Sequence, residues 1–202
     1  MRAPWVMAGL LITGCAPALR PADPRPAASL AFRAPFQSPA TASELAWSSS
    51  RPLTWEDFRG KPPTDGEEQA RTVYLLSFES RCRGVEFTFN VTALMLPTQS
   101  WVKPFVQATQ AGGVRVLRHE QTHFDLTEIY ARRMRRFFKD LYDPCGQPDE
   151  RLREAVDRYV KEESDAQGRY DSETQYGRND QAQARWDHDV SEMLSSLAAF
   201  EK

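Results

Sequence analysis

The thirty residues from Gly113 to Tyr142 constrain the chain most, because their apolar side chains recur at a helical period throughout. At about 100° per residue, Val116, Tyr130, Met134, Phe137 and Leu141 fall on one stripe, so the segment is expected to form a single long amphipathic helix. His119 and His123, two of only three histidines in the chain, lie on that same stripe, and Glu120 directly follows the first. The opposite side holds Arg118, Asp125, Glu128, Arg132, Arg135, Arg136 and Lys139. It reads as a solvated face, with Glu128 and Arg132 spaced for a surface ion pair. The basic run ARRMRRFFK belongs to this face, and contact with an anionic membrane is its alternative reading.

The spacing of the two histidines has a chemical meaning. Residues i and i+4 project from one face of a helix, so two imidazoles converge on one tetrahedral metal, with Zn–N distances of about 2.0–2.1 Å. The intervening glutamate is turned away from the coordination position but reaches a water on the metal, which makes it a general base. Two imidazoles on a core-facing stripe would otherwise each need a buried hydrogen-bond partner. A catalytic zinc site has three protein ligands, so a third must come from elsewhere. The richest stretch is YDSETQYG, Tyr170 to Gly177, where a chain break near Gly168 would let the segment fold back over the metal helix.

Around the long helix, the earlier part of the domain reads as sheet. VEFTFNVTA alternates apolar Val85, Phe87, Phe89 and Val91 with polar residues, and RTVYLLSFESRC precedes it across Arg83-Gly84, so a hairpin is expected. A second helix is expected from Pro148 to about Ala166, on Leu152, Ala155, Val156, Tyr159 and Val160. A third begins at a capping box of Asp180 and Gln183 and buries Trp186, Val190, Met193, Leu194 and Leu197. The fold class is therefore α+β, an antiparallel sheet packed on the metal-bearing helix with two further C-terminal helices. With 202 residues, a net charge of −2 and a pI near 6.0, the chain lacks the basic balance of a nucleic-acid binder.

The N-terminus carries a different signal. MRAPWVMAGLLITGC has a basic Arg2 and an apolar run too short to span a membrane as a stable helix, which suits a signal peptide. Its ending, ITGC, resembles the lipobox of bacterial lipoproteins. That resemblance implies lipidation of Cys15 and a protein anchored to the cell envelope, at the periplasmic face of an outer membrane or at the cell surface. An ordinary cleaved signal with a chance cysteine is the alternative. Residues 1–15 are then signal, 16–40 a Pro/Ala-rich tether, and 41–202 the folded domain. Outside the cytoplasm disulfides persist, so Cys82 and Cys145 either form a bridge or remain two buried thiols; the bridge is the expectation.

Four stretches carry a further resemblance: LTWEDFRGKPP (residues 53–63), HEQTHFDLTEIYARR (119–133), YDSET with Gly177, and QARW (183–186). Together they resemble a bacterial family of predicted secreted zinc-dependent proteases, known mainly as a domain of unknown function. The family pattern reads Tyr-Asp-x-x-Thr-x-His-Gly, and here Tyr176 stands where the histidine belongs. The resemblance implies a Zn2+-dependent peptidase acting on a peptide or protein substrate. His119 and His123 would then be metal ligands with Asp171 as the third, Glu120 the general base and Tyr176 the donor to the oxyanion. Glu173, Glu163 and His188 are alternative third ligands. The rival from another class is a lipid-anchored binding or structural envelope protein whose zinc holds the fold or has been lost.

Overall fold

The computed structural model describes residues 29–32 and 44–201. The segment read as a signal and Cys15 lie outside them, as does most of the stretch read as a tether. The fold is mixed α+β: a small antiparallel sheet, a two-stranded ribbon and four helices.

The expected hairpin forms from β4 (Tyr74–Arg83) and β5 (Glu86–Met95), paired antiparallel from Tyr74 opposite Met95 to Arg83 opposite Glu86. Gly84 at φ +62 opens the two-residue turn, a conformation glycine adopts without steric cost. Val85, expected as the first inward residue of the strand, instead occupies the turn and is 92% exposed. β2 (Leu45–Ala46) flanks β5, and β1 (Ser29–Phe32) flanks β4, giving the order β1-β4-β5-β2. Four residues of the segment read as tether thus pair as an edge strand. Outside this sheet, β3 (Ala70–Arg71) pairs with β6 (Trp101–Val102), and the short α1 (Pro104–Gln107) follows.

The long helix is α2, Gln110–Asp140, and it crosses the sheet with Val116, Phe124, Tyr130, Met134 and Phe138 in the core. Phe78 on β4 stacks on Phe138 at 4.6 Å between ring centroids. The face read as solvated is exposed at Arg118, Arg136 and Lys139 but covered at Glu128 and Arg132. Glu128 and Arg132 are 3% and 2% exposed, and Glu128 accepts from both Arg132 Nε and Arg135 Nη1 at 2.9 Å. Arg132 also donates to Leu194 O and to Glu201, so the charges fasten the chain's end beneath the helix. Helical spacing reports which residues share a side, but not whether a later segment covers that side.

Two more helices complete the domain. α3 runs unbroken from Asp149 to Thr174. The break expected at Gly168 is absent, and the open space around Gly168 explains why a residue with no side chain is tolerated there. α4 spans Asp180–Ser196 and is capped by Asn179, whose Oδ1 accepts from Ala182 N at 3.1 Å. That is one residue before the expected capping box; Gln183 turns inward and is fully buried. Cys82 and Cys145 are bridged, joining the end of β4 to the α2–α3 connection. Among the described residues no helix is long and apolar enough to cross a membrane.

The WEDF stretch forms a short 3-10 turn, Trp55–Asp57. Asp57 accepts from Thr54 N and is paired with Arg51. The turn docks on α2: Leu53 N donates to Gln121 Oε1 at 2.6 Å, and Trp55 lies against Gly113. Gly60 packs on the β5–β6 connection, where a Cβ would lie 2.8 Å from Ser100 O.

Candidate metal centre

One helical turn of α2 places His119, Glu120 and His123, all buried, at the floor of a cleft. α3 packs alongside and delivers Asp171 from its last turn. The two Nε2 atoms are 3.2 Å apart, and Asp171 Oδ1 lies 3.2 Å from His119 Nε2 and 3.0 Å from His123 Nε2. A tetrahedral ion with bonds of about 2.0–2.1 Å needs ligand atoms about 3.3–3.4 Å apart. The observed triangle meets that within a few tenths of an ångström. Asp171, expected as the third ligand, lies within reach of a position between the two imidazoles, and it comes from a helix and not from a loop.

The tautomers follow from the residues behind the imidazoles. Gln167 Nε2 donates to His123 O at 2.9 Å and to Glu163 Oε1 at 2.7 Å, which leaves Gln167 Oε1 facing His123 Nδ1 at 2.7 Å. Nδ1 must therefore donate, and Nε2 carries its lone pair into the triangle. Gln183 does the same for His119. Its Nε2 donates to Asp187 Oδ1 at 2.7 Å, and its Oε1 faces His119 Nδ1 at 3.2 Å. Three acceptor atoms so oriented repel one another unless a metal ion or a proton lies among them. The donor set, two neutral imidazoles and one carboxylate, fits a zinc-like divalent ion.

Electrostatics agree. Partial burial pushes the Asp171 carboxyl up, but hydrogen bonds from His119 and His123 outweigh it and hold Asp171 well below the usual carboxylate range. Burial lowers His123, yet its hydrogen bond to Asp171 and the charge of Glu120 reverse that and raise it. Asp171 thus stays ionised, whereas at His123 a proton competes with a metal for the Nε2 lone pair.

Glu120 is held by the strand side of the cleft. Thr72 N and Thr72 Oγ1 each donate to Glu120 Oε2 at 2.7 Å. The cleft encloses about 680 Å³ and runs between residues 67–74 on one wall and the α3–α4 turn on the other. That turn has three successive left-handed residues, Gln175, Tyr176 and Gly177, at φ 52, 57 and 73. A Cβ at Gly177 would lie 3.0 Å from the His119 ring, so both backbone and space require glycine there. Tyr170 stacks on the other side of His119 at 4.6 Å and gives its hydroxyl to His119 O and Gln183.

The remaining expected residues separate clearly. Tyr176 lines the cleft but is 67% exposed, at its mouth. Glu173 accepts from Trp186 Nε1 at 2.8 Å and stands apart from the triangle. Glu163 is buried one layer behind His123, where burial pushes its carboxyl up against hydrogen bonds from Gln167 and Thr127. His188 is exposed on α4. Among the described residues His119, His123 and Asp171 are the group able to hold a metal.

The family model described as "Bacterial protein of unknown function (DUF922)" matches residues 54–177. The chain belongs to the DUF922 family. The DUF922 match takes in the Trp55 turn, the whole triangle and Glu120, and it ends on Gly177. No curated protein and no solved structure matches the chain.

Sequence reasoning missed Thr72, Tyr74, Gln167 and Tyr170 as parts of this site, and took Gln183 for a cap. Gln167 had a legible signal, since it lies four residues before Asp171 and so on the same face of one helix. Thr72 and Tyr74 had none, because only tertiary pairing brings them to α2.

Proposed function

We propose that this DUF922 protein is a zinc-dependent peptidase of the cell envelope, with a zincin-like arrangement of the metal helix against the sheet. The observation that carries the reading is the convergence of two Nε2 lone pairs and the Asp171 carboxylate beside Glu120, on the floor of an open cleft. A divalent ion bound there supplies Lewis acidity and brings the pKa of water towards about 7.

The chain's own residues supply the rest. Glu120, fixed through one oxygen by Thr72, accepts the proton of the attacking water as the oxygen–carbon bond forms. It returns that proton to the amide nitrogen as the C–N bond breaks. On the wall, Gln69 O accepts from Lys103 N, and Ala70 and Arg71 pair with β6, so alternate backbone groups of this edge face the cleft. An extended peptide laid along Ala70 fits this edge by β-addition. Lipidation of Cys15 would tether the enzyme outside the cytoplasm, and the Cys82–Cys145 bridge accords with that compartment.

The rival reading is an envelope binding protein whose metal is structural. It is favoured by one feature, that the three ligands fasten α3 to α2. Zinc-loaded wild type and Glu120→Gln, assayed on a peptide library, separate the two. Under the enzymatic reading Glu120→Gln keeps its metal and loses turnover; zinc-loaded wild type with no cleavage of any peptide supports the structural role.

A further inference from the structure

Three phenols lie near the metal ligands, and they differ in what their hydroxyls do. Tyr170 spends its hydroxyl on His119 O and Gln183. Tyr176 stands at the cleft mouth, two-thirds exposed. Tyr74 begins β4, and its ring lies nearly parallel to that of His123, at 16° and 6.2 Å between centroids.

The position of Tyr74 follows from the chain. Thr72 and Tyr74 flank Val73 in the link from β3 to β4, and both line one wall of the cleft. Thr72 reaches Glu120 from that wall. Val73 between them is pinned, its N–H to Ser100 Oγ and its carbonyl to Leu96 N, which fixes the direction of its neighbours. The Tyr74 ring is mostly covered, and its hydroxyl has no hydrogen-bond partner among the described residues. No buried side-chain oxygen there lacks a partner, so this hydroxyl opens into the cleft that Tyr74 lines.

We propose that Tyr74, rather than Tyr176, is the catalytic residue that donates a hydrogen bond to the substrate's carbonyl oxygen as negative charge develops on it. This rests on the hydrolytic reading of the site. The phenol keeps its proton throughout, while the proton of water travels through Glu120 to the leaving nitrogen. A donor already oriented by packing loses little freedom at the moment of reaction, which is where such donors gain their effect. His119, Glu120 and His123 come from α2, Asp171 from α3, and the Tyr74 donor from the strand wall, so substrate is held from three sides.

The test uses acetohydroxamate, a small metal chelator whose oxygen takes the place of the developing oxyanion, on cobalt-loaded full-length protein. Binding is followed by visible absorbance. Tyr74→Phe, which preserves the ring and its packing, should keep one cobalt per chain and bind acetohydroxamate on the order of tenfold more weakly. Tyr142→Phe, on an exposed residue far from the cleft, should match wild type. On any peptide that wild type cleaves, Tyr74→Phe should lose on the order of 10²–10³ in kcat with little change in KM. Unchanged hydroxamate affinity in Tyr74→Phe, or a loss found in Tyr176→Phe instead, overturns the proposal. So does loss of cobalt from Tyr74→Phe, which would make the ring a support for His123. If wild type binds the hydroxamate but cleaves no peptide, the hydrolytic reading falls while the affinity comparison still decides the role of Tyr74. Wild type that takes up no cobalt overturns both.

Discussion

Thr72 holds Glu120 by two hydrogen bonds to one carboxylate oxygen, from its backbone N–H and its hydroxyl, both at 2.7 Å. A residue of the cleft wall thereby sets the rotamer of the proposed general base. Thr72→Val keeps the shape and the backbone bond but removes the hydroxyl. It is expected to lower turnover about tenfold, the worth of one hydrogen bond to a charged group, with metal content unchanged. Steady-state kinetics beside elemental analysis checks both parts.

Gly177 lies under His119. Gly177→Ala would place a methyl group 3.0 Å from the imidazole ring on a backbone at φ +73. Strain of about 1–3 kcal/mol is expected, and it falls on a proposed metal ligand. Competition with a chromophoric chelator should show zinc affinity reduced by about tenfold or more, with a lowered melting temperature.

Gln167 sets the His123 tautomer. Gln167→Leu removes the acceptor for Nδ1 and leaves the buried Glu163 carboxyl without one of its donors. Loss of such a supporting group costs metal sites about 10–100-fold in affinity. Gln167→Glu retains an acceptor and should recover part of it.

Much of this site was legible from His119, Glu120 and His123, because helical geometry alone brings i and i+4 together. The YDSET stretch also pointed to Asp171, the aspartate that lies beside both imidazoles. What periodicity did not reveal was whatever depends on a second element. Arg132 and Glu128 looked solvated until residues 194–201 covered them, and Gly168 looked like a break because of glycine's low helix propensity, which the burial of its helix neighbours Ala166, Gln167 and Tyr170 outweighs. The edge strand at Ser29–Phe32 was hidden within a Pro/Ala-rich stretch. Its pairing is set by the exposed edge of β4, a long-range partner that local composition does not encode.

The Arg51–Asp57 pair, at 2.7 Å, gives a pH signature away from the metal. Burial pushes the Asp57 carboxyl up, but hydrogen bonds from Arg51 and Thr54 outweigh it, so the folded-state pKa is depressed. The stability this contributes is present above the unfolded pKa, near 4, and is lost as pH falls through the folded value. Asp57→Asn should therefore be destabilised at pH 7, by about 1–2 kcal/mol, and the gap from wild type should close below pH 4. Urea melts across pH 3 to 7 provide the comparison.

Metal stoichiometry tests the central claim most directly, that His119, His123 and Asp171 grip one divalent ion. Elemental analysis of protein purified from zinc-replete medium should give one zinc per chain for wild type and none for His123→Ala. Wild type with no stoichiometric metal, or zinc retained after all three ligands are replaced, would contradict it.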